Sequence, residues 1–427
     1  MKIVIVAPSS PRWSTIGSVR WEKLAKYLSK KHSVYFVTSC FPDKQSFRSF
    51  DLGQAHFVEI PLKYFKRAPQ LRTSNTPKVA KRKMLSNLAR KMKAEFRPFL
   101  ELFLPVSPGG ILFHDYEAYI NELNKIISNS ERTILFTTYG PWFSLKLGAL
   151  FKRQYGERVV WIADFRDPSF NIPESIVSRL PVFKHATKKI LTMVDGVLVV
   201  TKKMVKDYEE IVGSKVFFLP NGYDEKVFLE SWVESSSESL RIVYTGSFHP
   251  RMVELTPFIL GLLNLKEREK NVYSRLRFVY AGKDYNYVQQ LFRKFSLVDI
   301  LDNRGFIPRD EALRVQAEAD ILLLIAYTGN DSQEGSAIRT GKVYEYLATG
   351  KPILAIAPKN WEMREEIEGD GVSKVFDKSE PQEMAEYIAW FFTERKQVNL
   401  KRREEVISPY FYENLSKRLE EIIRTIS

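Results

Sequence analysis

The segment Thr340-Gly341-Lys342-Val343-Tyr344-Glu345 combines residue types that can hold a nucleoside diphosphate. Gly341 permits a tight turn before a helix. The start of that helix offers free backbone N–H groups and the positive end of its dipole to an anion. Lys342 lies in the first turn. Glu345, about one turn deeper, can accept two hydrogen bonds from a ribose diol. The same pattern also describes a buried, glycine-capped helix carrying a surface glutamate, and spacing alone leaves both readings open. Elsewhere the chemistry is sparse: the five His and one Cys show no metal-ligand spacing. His114 and His185 stand alone in the sequence and are read as structural.

The elements that must position this segment follow a repeated strand-then-helix rhythm. Lys2–Ala7, Val34–Thr38, Thr133–Thr137, Val159–Ala163, Gly196–Val200 and Lys215–Leu219 read as short strands, with helical patterns at Val19–Leu28 and Trp142–Arg153. Residues 231–239 are polar and rich in Ser, as linkers are. The rhythm then restarts with strands at Arg241–Tyr244, Arg277–Tyr280, Asp320–Ile325 and Pro352–Ile356. A mostly helical stretch, Pro381–Ile426, is broken at Ser408-Pro409. Buried strands alternating with helices imply parallel βαβ units. Two doubly wound halves would put ligands at the carboxyl ends of their strands.

At 427 residues the chain suits two domains of roughly 200 residues each. Its 44% hydrophobic and 27% charged content is that of an ordinary globular enzyme. Cys40 is the single cysteine, so no intrachain disulfide can form and a reducing compartment is expected. The N-terminal Met-Lys-Ile-Val-Ile-Val-Ala-Pro reads as a first strand and not as a signal peptide. No apolar run approaches the ~18 residues of a transmembrane helix. The net charge of +14 is local: Pro61–Leu100 holds twelve Lys or Arg and one acid, Glu95. Within it, Leu85, Leu88, Met92 and Phe96 recur at helical spacing from Lys78 to Arg97, flanked by basic residues. Such a helix suits an anionic lipid surface. A core-packed helix with a solvated basic face is the alternative, and no nucleic-acid module accompanies the charge.

Six segments, in order, resemble glycosyltransferase family 4, whose members are retaining, nucleotide-sugar-dependent enzymes of the GT-B fold. They are Trp161-Ile162-Ala163-Asp164-Phe165-Arg166-Asp167-Pro168; Asp195–Thr201 with Leu219-Pro220-Asn221-Gly222; Val243-Tyr244-Thr245-Gly246-Ser247; Val279-Tyr280-Ala281-Gly282; Gly305-Phe306-Ile307; and Gly341–Ile353. The resemblance implies an α/β chain of two Rossmann-like doubly wound domains facing across a cleft. Residues 1–222 would bind the acceptor, with a basic insert at about 62–104. A linker at 223–240 would lead to a donor domain at 241–380, and helices in 381–427 would pack back on the first domain.

By that resemblance Glu345 would bind the donor ribose and the amides around Gly341, Lys342 and Val343 its diphosphate. Arg251, after the Thr245-Gly246-Ser247 turn, would clamp phosphate in fork geometry. Gly246, Gly282 and Ile307 would line the donor, with the Gly305–Arg309 loop near the base, and Gly17 would admit the acceptor-side loop to the phosphates. Asp164, Arg166 and Asp167, at a strand end, could position an acceptor hydroxyl or form a structural salt-bridge cluster. There are two departures. Many members carry a second glutamate eight residues before the first, where this chain has Ala337; Glu334, three residues too early, could be restored by a loop insertion to a catalytic place beside the transferred sugar, or be an ordinary loop acid. A histidine often follows the Thr137-Thr138 strand end, where Leu145 and Ser144 stand.

The expected activity is transfer of a sugar from a nucleotide-sugar to a saccharide or lipid-linked acceptor, a precursor of cell-surface polysaccharide or glycolipid, with retention. It would need no cofactor or metal and no nucleic acid. It would take place in the cytoplasm, peripheral to an anionic membrane face. The alternatives are a nucleotide-sugar epimerase of the same architecture and a non-catalytic nucleotide-sugar-binding partner subunit.

Overall fold

The computed structural model describes residues 1–12, 16–40, 49–61, 114–128, 132–138, 142–166, 181–224, 238–248, 252–331, 335–394 and 404–427. These form two compact units, Met1–Pro220 with Leu415–Ser427, and Asn221–Asn414. The basic insert, including the helix read at Lys78–Arg97, and most of the Ser-rich linker lie outside the described residues.

The first unit is built on seven parallel strands: β1 (Lys2–Val6), β2 (Ser33–Cys40), β3 (His56–Pro61), β4 (Thr133–Thr138), β5 (Val159–Phe165), β6 (Gly196–Val199) and β7 (Val216–Phe218). Their order is β3-β2-β1-β4-β5-β6-β7, so the winding reverses between β1 and β4. Crossover helices leave both faces of such a sheet covered, which is why its strands are near-continuous apolar runs. Ile3, Val4, Ile5 and Val6 are fully buried, as are Trp161, Ile162 and Ala163. Two tight packings bind the layers. A Cβ on Gly148 would lie 2.1 Å from the Trp161 ring, and one on Gly196 2.5 Å from Ile426 of the last helix.

The second unit has six parallel strands: β8 (Leu240–Thr245), β9 (Leu276–Ala281), β10 (Leu301–Gly305), β11 (Ile321–Ile325), β12 (Ile353–Ile356) and β13 (Lys374–Phe376). They run in the order β10-β9-β8-β11-β12-β13. One face packs against helices Thr256–Arg268, Tyr285–Lys294 and Pro381–Glu394, through Phe258, Val288, Phe292 and Met384. The other packs against Arg309–Ala317 and Gly341–Thr349, through Leu313, Val343 and Leu347. The doubly wound α/β fold read from the sequence is therefore present twice.

The C-terminal stretch divides differently from the expected boundary at 381. Helix Pro381–Glu394 carries a buried face of Met384, Ala385, Ile388 and Phe391 into the core of the second unit. Only Leu415–Ser427 groups with the first. Within the second unit, the segments leading in and out lie side by side. Tyr223 N donates to Tyr410 O at 3.0 Å, and Tyr412 N to Tyr223 O at 2.9 Å. Among the described residues no helix is long and apolar enough to cross a membrane.

Candidate functional site

In the second unit three neighbouring strands end in glycine. Gly246 follows β8 with φ +121°, Gly282 follows β9, and Gly305 ends β10 with φ +68°. Positive φ of this kind favours a residue without Cβ. Backbone bonds join the three turns: Gly246 N donates to Ala281 O at 2.7 Å, and Gly282 N to Gly305 O at 2.7 Å. At Gly282 the approach itself demands glycine, since a Cβ there would lie 1.9 Å from the Gly246 carbonyl oxygen. Tyr280 reinforces the join, donating its hydroxyl to Gly246 O and accepting from Asp284 N, both at 3.0 Å. Asp284 in turn accepts from Phe248 N at 2.9 Å.

Helix Gly341–Thr349 begins after Thr340 and ends at Gly350, which takes the left-handed conformation (φ 68°, ψ 3°). The Thr340 side chain makes no capping bond; its carbonyl accepts from Val343 N at 3.1 Å, which leaves the Gly341 and Lys342 amides without a bond to the cap residue. Lys342 reaches from this turn toward the end of β8. Its ammonium donates to the Tyr244 hydroxyl at 2.8 Å and lies 4.1 Å from the centroid of that ring. A side chain on Gly246 would collide with it, 2.8 Å from Nζ. Burial lowers the Lys342 ammonium to about 8, against the pull of Glu345 and Asp284. Behind it Tyr244 stacks on Phe248 (4.6 Å, 8°), and burial raises the Tyr244 phenol well above its ordinary value.

Glu345 lies one turn further along. Its Oε1 accepts from Arg309 Nη1 at 2.7 Å, with the two side chains 18% and 26% exposed. Arg309 opens helix Arg309–Ala317 directly after the Gly305-Phe306-Ile307-Pro308 loop. In that loop Ile307 packs on the core, while Phe306 is 78% exposed. Deeper in, Gln316 donates to Thr245 Oγ1 at 2.7 Å and Tyr346 OH accepts from Thr245 N at 3.3 Å. These bonds tie the end of β8 to both helices. On the far side of β10, Tyr285, Asn286, Gln289, Arg293 and Asn303 line a polar recess of about 460 Å³ that reaches Gly305.

The structure thus gathers Gly246, Gly282, Ile307, Gly341, Lys342, Val343 and Glu345 in one unit, around the carboxyl ends of β8 to β10. Val343 is fully buried and its N–H donates to Thr340 O at 3.1 Å, so it supports the turn without facing a ligand. Arg251, Glu334 and Asp167 lie outside the described residues. Gly17 is the second residue of helix Ile16–Leu28 in the other unit.

Asp164 is paired with helix Ile16–Leu28. It is fully buried, with Oδ1 3.1 Å from Arg20 Nη2 and Oδ2 accepting from Trp21 Nε1 at 2.7 Å. Arg20, also fully buried, donates to Pro220 O at 2.6 Å and Leu219 O at 2.8 Å. The carboxylate therefore fixes Arg20, which ties helix Ile16–Leu28 to the 219–220 turn, and offers no open face to an acceptor. A buried, paired charge of this kind costs several kcal/mol to disrupt, about 3–5 on removal of one partner. Arg166 stands half-buried just beyond β5. Leu145 is fully buried in the core, and Ser144 is spent on Thr138 O at 2.5 Å, so neither takes the place of a histidine. His185 is exposed on helix Pro181–Leu191.

Sequence reasoning passed over Arg309, Tyr244, Tyr280, Asp284 and Arg20 as functional or supporting groups. Arg309 closed a segment already singled out, so its position was marked though its partner was not. Nothing in the spacing of Tyr244 and Tyr280 distinguishes them from ordinary strand residues. Among the described residues no group of three or more His, Cys, Asp or Glu could hold a metal ion.

No protein-family model matches the chain, and no curated protein sequence matches it. Solved structures do match in fold. Sucrose-phosphate synthase from Thermosynechococcus elongatus has a TM-score of 0.64 at 12% identity, covering 100% of this chain and 98% of that one. HepE from Anabaena, in complex with UDP and glucose, has a TM-score of 0.59 at 12% identity, covering 100% of both. A variant of TarM from S. aureus, bound to fondaparinux, alpha-GlcNAc-glycerol and UDP, has a TM-score of 0.62 at 11% identity, covering 99% of both. The fold, α/β with two parallel sheets, is that of the GT-B glycosyltransferases.

Proposed function

We propose that this chain is a glycosyltransferase that takes a sugar from a nucleotide-sugar bound to its second unit. The observation that carries the proposal is the placement of Lys342 and Glu345. Both sit in the first turns of a helix whose capping side chain leaves the Gly341 and Lys342 amides unclosed, beside three glycine turns that let backbone approach a ligand. The helix start and the Lys342 ammonium match a diphosphate, and Glu345 matches a ribose diol. The base would lie beside Gly305 and Ile307. The fold neighbours support this reading, since two of those named above hold UDP.

In the reaction the bond from the sugar anomeric carbon to the diphosphate oxygen breaks as the acceptor oxygen bonds that carbon. The acceptor attacks from the face the phosphate leaves, which gives retention, and its proton passes to the departing phosphate. The protein supplies orientation and charge, through helix amides and Lys342, at the leaving group where negative charge grows. Asp164 takes no part. No cofactor or metal is assigned. The first unit would hold the acceptor, a lipid-linked or cell-surface saccharide precursor, and the basic insert would bring the enzyme to an anionic membrane face.

The test is a thermal-shift screen against UDP, GDP, ADP and dTDP sugars, repeated with Glu345→Ala. One nucleotide class should raise the melting temperature, and the variant should lose most of that rise. No rise with any nucleotide would sink the proposal. Donor turnover with and without acceptor then separates transfer from an epimerase, which needs no second substrate, and from a partner subunit, which turns over nothing.

A further inference from the structure

Glu345 is held by one oxygen. Arg309 Nη1 donates to Oε1 at 2.7 Å, and no other hydrogen bond or ion pair involves Glu345 among the described residues. The backbone that carries the guanidinium is firmly placed. Arg309 is the first residue of a helix whose opening turn is closed by Ala312 N donating to Pro308 O at 2.9 Å. The preceding loop is anchored where Gly305 O accepts from Gly282 N. The carboxylate is therefore oriented from a neighbouring helix before any ligand arrives, with its second oxygen uncommitted.

We infer that Arg309 is a positioning residue that makes nucleotide binding selective for ribose over deoxyribose. The inference rests on the donor reading given above. A glutamate on a helix surface samples several rotamers, and ordering it on binding costs free energy. Fixed through Oε1, Glu345 presents Oε2 to a sugar hydroxyl without that cost. A site built around a hydroxyl rejects the analogue that lacks it, because the acceptor is left unpaired. Loosening the carboxylate blunts this rejection while leaving the diphosphate contacts of the Gly341 turn in place.

Titration calorimetry on the full chain tests this with UDP, GDP and ADP, each beside its 2′-deoxy and 3′-deoxy form. The wild-type protein should bind one ribonucleotide about tenfold or more tighter than at least one deoxy form, the worth of one charge-assisted hydrogen bond. Arg309→Met keeps the aliphatic stem and should bring that ratio to within about twofold, chiefly by weakening the ribonucleotide. Arg309→Lys should recover part of the ratio. A purely structural role predicts weaker binding of all forms with the ratio unchanged in Arg309→Met, and that result overturns the inference alone. Tighter ribonucleotide binding by Arg309→Met would show a blocking contact and overturn it too. If Glu345→Gln keeps the wild-type ratio, the ribose assignment of Glu345 fails and the inference falls with it. Because both side chains are partly exposed, the variants are expected to fold, which their melting curves verify.

Discussion

Lys342 is the residue on which the electrostatics of the site turn. Its ammonium is brought down to about 8 because burial disfavours the charged form more than Glu345 and Asp284 favour it. A diphosphate binds the charged form, so nucleotide affinity should be full below about 8 and fall as pH rises through that value. By linkage, bound nucleotide should raise the lysine and release of ligand should lower it. Affinity measured from pH 6.5 to 9.5 should show this decline in the wild-type protein, while Lys342→Met binds about tenfold more weakly and shows a flat profile. A wild-type profile with no decline would mean that Lys342 does not contact the nucleotide. The residue was legible in the sequence from its place after Gly341. Its setting was not, because Tyr244 and Gly246, which surround the ammonium, lie about a hundred residues earlier and meet it only once β8 is laid in the sheet.

At the scale of elements, the glycine turns show how little room the strand ends have. Gly282→Ala would drive a methyl into the Gly246 carbonyl, a rigid backbone atom, and into the Tyr280 hydroxyl. The expected cost is about 3 kcal/mol, at the upper end of overpacking effects, together with loss of nucleotide binding as the β8 and β9 turns part. Urea unfolding and a nucleotide titration measure the two consequences. An alanine variant as stable as wild type would mean that the turns yield easily. The central strands of both sheets were readable because Ile3–Val6, Val159–Ala163 and Ile321–Ile325 are apolar runs with both faces covered. Three strands were missed, β3, β10 and β13, and all are sheet edges. β10 reads Leu-Asp-Asn-Arg-Gly and is only partly buried, so no apolar run marks it. Its pairing with β9 makes it a strand. Asp164 shows the opposite difficulty. A carboxylate at a strand end resembles a catalytic group until its partners Arg20 and Trp21, more than a hundred residues away, close over it.

Across the whole molecule, the chain completes its first unit with its last residues. Leu415, Leu419, Ile422 and Ile423 are buried on the final helix, and Arg418 lies 5.4 Å over the Phe218 ring. Each such Leu or Ile contributes about 1.5–3 kcal/mol, so together they rival the whole stability of a typical domain, about 5–15 kcal/mol. A chain ending at Asn414 should leave the first unit open to protease and hydrogen exchange while the second unit keeps its protection. A polar latch joins the same helix. Glu420, 6% exposed, accepts from Lys31 at 3.1 Å and lies 3.4 Å from His32 Nε2. Burial lowers the His32 imidazole below its ordinary value of 6.5, outweighing Glu420, which pulls the other way. The unfolded chain therefore binds the proton more readily, and the stability carried by the neutral ring is present above about pH 6.5 and lost as pH falls below it. In wild-type protein the exchange protection of helix Tyr412–Ile426 should weaken between pH 7 and 5. In His32→Gln, which cannot titrate, that weakening should be smaller. Equal weakening in both proteins would move the pH sensitivity to other groups, whereas strengthening of the wild-type helix at low pH would mean that the protonated ring pairs with Glu420 and that burial is the lesser force.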